Sequence, residues 1–244
     1  MIKSPGDPML KADWDHSVPK AHAKLYLSAK RIQRIWEASR SGVSRHDAIL
    51  AHVWSAINRA RGWSFDEREV ALHVIFGLRR QLGLSETFLG SPILSASVRM
   101  SGSDASGRVG SKSGTPETGP VAAKIHSALA LYDTDGVEAR LHDPCFECAR
   151  QRFWEGYLGA RPVIFSSWAH LGMYGVNFGS EERARHIEVC MPEQNGMVSL
   201  IKGRPERNSS EGQKRHWCDD GVVVGVSLAA DALERLKNDP EVWC

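Results

Sequence analysis

"SRHDAILAHVWSAINRARG", residues 44–62, carries the most regular helical periodicity of the chain. Ile49, Val53 and Ile57 step by four, with Leu50 and Trp54 beside them, so one face is continuously apolar. Ser44 has the chemistry of an N-cap. Asp47, three residues later, can bond back to the cap and suits the positive end of the helix dipole. Gly62 supplies the stop. A helix this apolar needs a surface to pack on, so the segments around it decide the fold class.

Upstream, "AHAKLYLS" (21–28) reads as a short strand. Ser28 then caps a helix, "AKRIQRIWEAS" (29–39), with Ile32, Ile35, Trp36 and Ala38 on or near one face, and Gly42 ends it. Residues 1–20 hold prolines and mixed charge and read as a linker-like lead-in to one domain over 21–244. Downstream, "EVALHVIFGLR" (69–79) and "SPILSASVR" (91–99) are strands, joined by a connection that carries Leu82, Phe88 and Gly90. Residues 101–118, "SGSDASGRVGSKSGTPET", offer little to bury and are expected to form a disordered surface insertion. Two or three helices follow over 119–158. Then come four expected strands, "PVIFSSW" (162–168), "ARHIEVCM" (184–191), "GMVSLIKG" (196–203) and "GVVVGVSL" (221–228), and a last helix, "AADALERLKNDP" (229–240). Strands mixed with helices, with no internal repeat, give an α/β sandwich built on a mixed β-sheet with flanking helices.

The bulk numbers exclude several classes. The chain has 244 residues, 42% apolar and 25% charged, with a formal net charge of +2, so charge alone points to no polyanion. No Gly-rich phosphate loop and no basic stripe interleaved with aromatics is present, and no nucleic-acid partner is expected. The first residues, "MIKSPGDPMLKADWDH", contain no apolar signal core, and no apolar run reaches the ~18 residues of a membrane span. Five cysteines, an odd count, fit a reducing cytoplasm. Cys145 and Cys148 form a C-x-x-C with His142 just upstream, but a zinc site needs four ligands and no second paired cluster exists. These cysteines read as structural or incidental. No bound metal or cofactor is expected.

Several motifs occur in an order that resembles the BAHD acyltransferases, in particular the fungal branch with the trichothecene O-acetyltransferases. Ser44 and Asp47 match the Ser/Thr-x-x-Asp at the head of a helix. "GLRRQL" keeps Arg79 but has Gly77 where the family has Asp, and "FLGSP" keeps Phe88 and Gly90 but has Ser91 for Asn. "SSWAHLGMYGVNFGSE" resembles the Thr-Ser-Trp strand and the Asp-Phe-Gly-Trp-Gly motif. It supplies Ser166, Ser167 and Trp168, then Asn177, Phe178 and Gly179, with Ser180 and Glu181 replacing the final Trp-Gly. The resemblance runs from about residue 20 to residue 240.

The resemblance implies a chloramphenicol-acetyltransferase-like sandwich, the C-terminal one of two BAHD half-domains, with the N-terminal catalytic half absent. It implies acyl-CoA as co-substrate and a hydroxyl or amine of a small secondary metabolite as acceptor. The partner is the missing half or further copies of the chain. Ser166, Ser167 and Trp168 would lie on the CoA wall. Ser44, Asp47, Arg79, Gly90, Asn177, Phe178 and Gly179 would shape the fold, with Arg79 deprived of its partner in the other half and turned toward Asp47.

"HWCDDG" (216–221) reads His-x-x-x-Asp-Gly, the catalytic signature of this class, in which a neutral His takes the proton of the attacking hydroxyl. Its context differs from the signature's: a polar loop precedes His216 and a β-branched run follows Gly221, so Asp219-Asp220-Gly221 also reads as a turn. Three readings follow. The chain is half of a CoA-dependent acyltransferase and inactive alone. It is a non-catalytic binding module derived from one. Or it is a trimeric, chloramphenicol-acetyltransferase-like enzyme that uses His216.

Overall fold

A computed structural model describes residues 17–39, 42–85, 87–109, 116–142, 161–179, 184–190, 194–205 and 216–243. In chain order the elements are β1 (Lys20–Leu27), α1 (Ala29–Ala38), α2 (Arg45–Ala60), β2 (Glu69–Gly77), β3 (Ile93–Ser101), α3 (Gly102–Ala105), β4 (Arg108–Val109), β5 (Pro116–Glu117), α4 (Gly119–Ala130), α5 (Thr134–His142), β6 (Val163–Ser167), β7 (Met197–Lys202), β8 (Val222–Ala229), α6 (Ala230–Lys237) and α7 (Pro240–Trp243). Six strands make one mixed sheet in the order β1-β8-β7-β6-β2-β3. β6 runs parallel to both β7 and β2, and every other pair is antiparallel.

Side chains alternate along each strand, so the register sorts the sheet into two faces. One face is Leu27, Leu72, Val74, Val98, Phe165, Val198, Leu200, Val224, Val226 and Leu228, all buried in a single core. α2 lies over it, flanked by α1, α4 and α6. Its apolar stripe is fully enclosed, Trp54 included. Emptying a site of that size costs roughly 3–5 kcal/mol. α2 starts where expected: Ser44 Oγ accepts from Asp47 N at 3.1 Å and Asp47 Oδ2 accepts from Ser44 N at 3.0 Å, a complete capping box. Ser28 caps α1 through Arg31 N, and Ile32 and Ile35 are its buried residues, while Ala38 is exposed.

Three expectations change. Residues 101–109 are not an insertion loop. Ser101 caps the short α3, Gly102 lies where a Cβ would stand 2.9 Å from Asp66 O, and Ala105 and Ser106 are buried. β4 then pairs with β5, while residues 110–115 lie outside the described ones. The Ser, Gly and Asp that look like loop composition act here as cap and close-approach chemistry. Second, residues 184–190 form no strand. Ile187 and Val189 lie against the sheet's other face instead, held by the Lys24–Glu188 ion pair. Third, β3 begins at Ile93 rather than 91, because Pro92 has no N–H to give and uses its carbonyl for Leu78 N. Cys145 and Cys148 lie outside the described residues. Among the described residues no helix is long and apolar enough to cross a membrane.

Candidate functional site

Among the described residues the second face of the sheet carries no helix layer, and it has a different chemistry. Two rungs cross five strands. One runs His73, Ile164, Met197, Ser227, His22, and the other Ile75, Ser166, Ser199, Gly225, Lys24. His22 Nδ1 meets Ser227 Oγ at 3.0 Å, and His73 Nδ1 meets Ser97 Oγ at 2.9 Å. Gly225 keeps the second rung shallow, since a Cβ there would lie 2.5 Å from Ser199 Oγ. Residues 184–190 and Tyr174 close a small pocket of about 50 Å³ over His22, Lys24, Ser199 and Gly225. Small polar side chains at the centre and basic ones at the rim make this face a trough rather than a core.

At the end of the sheet where β6 and β7 finish, a second group collects. Trp217, in the turn before β8, is ringed by imidazoles: His170 at 5.2 Å, His216 at 5.9 Å and His46 at 6.3 Å between ring centroids. Burial pushes His46 down to about 4, so it is neutral at pH 7. Burial also lowers His216 and raises the Cys218 thiol, while Arg45 stands close to both. Arg45 lies over the Trp36 ring at 4.3 Å and donates to Gln33 at 2.9 Å. His216, exposed, sits in a turn closed by Asp219 N to His216 O at 3.1 Å and Gly221 N to Cys218 O at 2.9 Å. Its own N–H donates to Asp219 Oδ2 at 2.7 Å and its Nδ1 faces Cys218 Sγ at 3.1 Å.

The residues singled out from the sequence are not all brought together. Ser166 and Ser167 point to opposite faces of β6: Ser166 belongs to the open trough, where it accepts from Trp168 Nε1 at 2.9 Å. Ser167 Oγ is buried, with no hydrogen-bond partner among the described residues. Asn177 Oδ1 accepts from Gly179 N at 2.8 Å in an exposed turn, where Gly179 has φ +90° and Phe178 is almost wholly exposed. Arg79 does not reach Asp47. It donates to Gly90 O at 3.0 Å and Ser85 O at 3.3 Å, beside the Phe88 ring, which satisfies it within its own connection. Asp47 instead binds His126, on α4. His216, Cys218 and Asp219 bring possible ligand atoms within 4.8 Å of one another. A His-x-Cys-Asp run carries that signal in sequence, but it was hidden behind the His-x-x-x-Asp-Gly reading of the same residues.

The Transferase family model matches residues 15–242, and the chain belongs to that family, the BAHD transferases. Among its relatives, acyltransferase AFT15-1 of Alternaria alternata is 33% identical over 97% of this chain and 44% of its own length. Acyltransferase abl6 of Leptosphaeria maculans is 25% identical over 88% of this chain and 42% of its own length. The chain thus spans less than half the length of these curated relatives. The fold matches the crystal structure of F. graminearum TRI101 complexed with coenzyme A and deoxynivalenol. The TM-score is 0.70 at 15% identity, over 99% of this chain and 55% of that one. Vinorine synthase gives a TM-score of 0.62 at 13% identity, over 93% of this chain and 48% of that one. The mixed six-stranded sheet with flanking helices is the fold of these acyltransferases.

Proposed function

We propose that this chain is the C-terminal half-domain of a CoA-dependent acyltransferase. The reaction moves an acyl group from acyl-CoA to a hydroxyl or amine of a small secondary metabolite in the cytoplasm. The observation that carries this reading is the open sheet face. Its trough of Ser166, Ser199, Gly225 and Ser227, rimmed by His22 and Lys24, has the shallow polar character of a channel wall. A second half-domain or another copy of the chain would form the opposite wall. In the reaction a neutral imidazole takes the acceptor proton, the freed oxygen or nitrogen attacks the thioester carbonyl, and the CoA thiolate leaves. In this reading that imidazole belongs to the other half, because the Nδ1 of His216 is turned to Cys218 and its ring to Trp217.

The test is an acetyl-CoA turnover assay on the purified chain, alone and with a separately expressed N-terminal half of the Alternaria relative. The chain alone is expected to match buffer, and complementation should restore the ~10²–10⁴-fold that general base catalysis contributes. The trimeric reading draws on one observation, that the His216 imidazole is exposed and its pKa is lowered. Turnover by the chain alone that disappears in His216→Ala would replace the half-domain reading with that one. CoA binding with no transfer under either condition would leave a non-catalytic binding module.

A further inference from the structure

We propose that the turn before β8 binds one transition-metal ion, zinc by its ligand set, through the His216 imidazole, the Cys218 thiolate and the Asp219 carboxylate. The three ligand atoms already lie within 4.8 Å of one another. The backbone of the turn brings their Cα positions together. Two successive turn bonds, Asp219 N to His216 O and Gly221 N to Cys218 O, fold residues 216–221 so that side chains at i, i+2 and i+3 converge.

The distances fit the ion. Zinc bonds of ~2.0–2.1 Å to nitrogen and ~2.3 Å to sulfur at a tetrahedral angle separate the two ligand atoms by about 3.6 Å. Nδ1 and Sγ stand 3.1 Å apart, so the pair opens by roughly half an ångström to admit the metal. Cys218 is buried and anchors the site, while His216 and Asp219 are exposed and leave a way in. The turn bond to Asp219 engages one carboxylate oxygen, and the second is available by chemistry to ligate. Thiolate and carboxylate together match the charge of a divalent ion. A bound cation displaces the thiol proton on ligation, and Arg45 stands nearby with its guanidinium over the Trp36 ring. Three protein ligands leave the fourth tetrahedral position for water.

The soft sulfur ligand gives a direct spectroscopic test. A Cys145→Ser/Cys148→Ser background removes the C-x-x-C as a competing site. Titrated with Co²⁺, that protein is expected to develop a thiolate-to-cobalt charge-transfer band that saturates at about one equivalent and is displaced by Zn²⁺. Cys218→Ser should abolish the band, and His216→Ala and Asp219→Asn should each weaken binding at least ~10-fold. Absence of the band at saturating Co²⁺ overturns the proposal. So does a band that survives Cys218→Ser, which would assign it to one of the two remaining thiols, Cys190 or Cys244. If Cys218→Ser does not fold, unchanged Co²⁺ affinity in the two exposed-position variants overturns it equally.

Discussion

Asp47 and His126, 79 residues apart, meet at 2.9 Å between Oδ2 and Nδ1, so the imidazole donates to the carboxylate that also completes the α2 cap. One buried carboxylate therefore ties the head of α2 to α4.

Asp47→Ala removes the reciprocal cap bond, the charge at the helix start and the acceptor of His126. Together these should cost about 2 kcal/mol, read from the denaturant midpoint. Half of the His126 side chain is exposed, so its coupling to Asp47 should stay below about 1 kcal/mol in a double-mutant cycle. A cycle with Arg79, which is bonded elsewhere, should give a coupling near zero. A large Asp47–Arg79 coupling would mean that the solution structure differs here.

Arg59 joins three segments. Its guanidinium donates to Asp239 Oδ2 at 3.0 Å and to Ser106 O at 3.0 Å, linking α2, the end of α3 and the residue before Pro240. Both charged side chains are mostly covered, so Arg59→Ala leaves a carboxylate partly desolvated and unpaired. The expected loss is about 2 kcal/mol, with enhanced proteolysis of the C-terminal segment. Proteolysis rates equal to wild type would show that Arg59 does not hold that segment.

His52 lies within α2 and donates Nε2–H to Val242 O at 3.1 Å, and burial pushes its pKa down to about 4. In the unfolded chain its pKa is about 6.5, so the unfolded state takes the proton first. The stabilisation is complete above that value and is lost as pH falls toward the folded pKa. Between pH 7 and pH 5 this single residue should cost about 2 kcal/mol. His52→Gln keeps a donor for Val242 and should flatten that part of the pH–stability curve. An unchanged curve would place the acid sensitivity elsewhere.

Gly221 has φ +73°, and a Cβ there would stand 2.7 Å from Leu27 O. Gly221→Ala should cost ~2 kcal/mol or more from the left-handed backbone and the clash with a carbonyl that cannot swing away. A loss well under 1 kcal/mol would show that the turn can rearrange.

The sequence made some of this legible and hid the rest for physical reasons. The capping box of α2, the strands that pair and the α/β class rest on local chemistry and period, and they appear where read apart from shifts of a residue or two such as the start of β3. α3 stays hidden in the sequence because cap residues and loop residues are the same residue types. Residues 184–190 have a strand's alternation, yet their apolar side chains are served by lying on a sheet rather than joining it. The trough needed the register, which alone reveals that Ser166 and Ser199 share a rung while Ser167 does not. The pairing of Asp47 with His126 spans two helices, and nothing local to either announces it.

Among the described residues β1 precedes the other strands of the sheet, and its neighbour there, β8, lies about two hundred residues later. At the ~5–20 residues per second of ribosomal synthesis, β1 waits roughly 10–40 seconds before its ladder can form. Throughout that interval the strand that ends in Leu27 is an unpaired template, so a cell making this chain must keep β1 from strangers until β8 arrives.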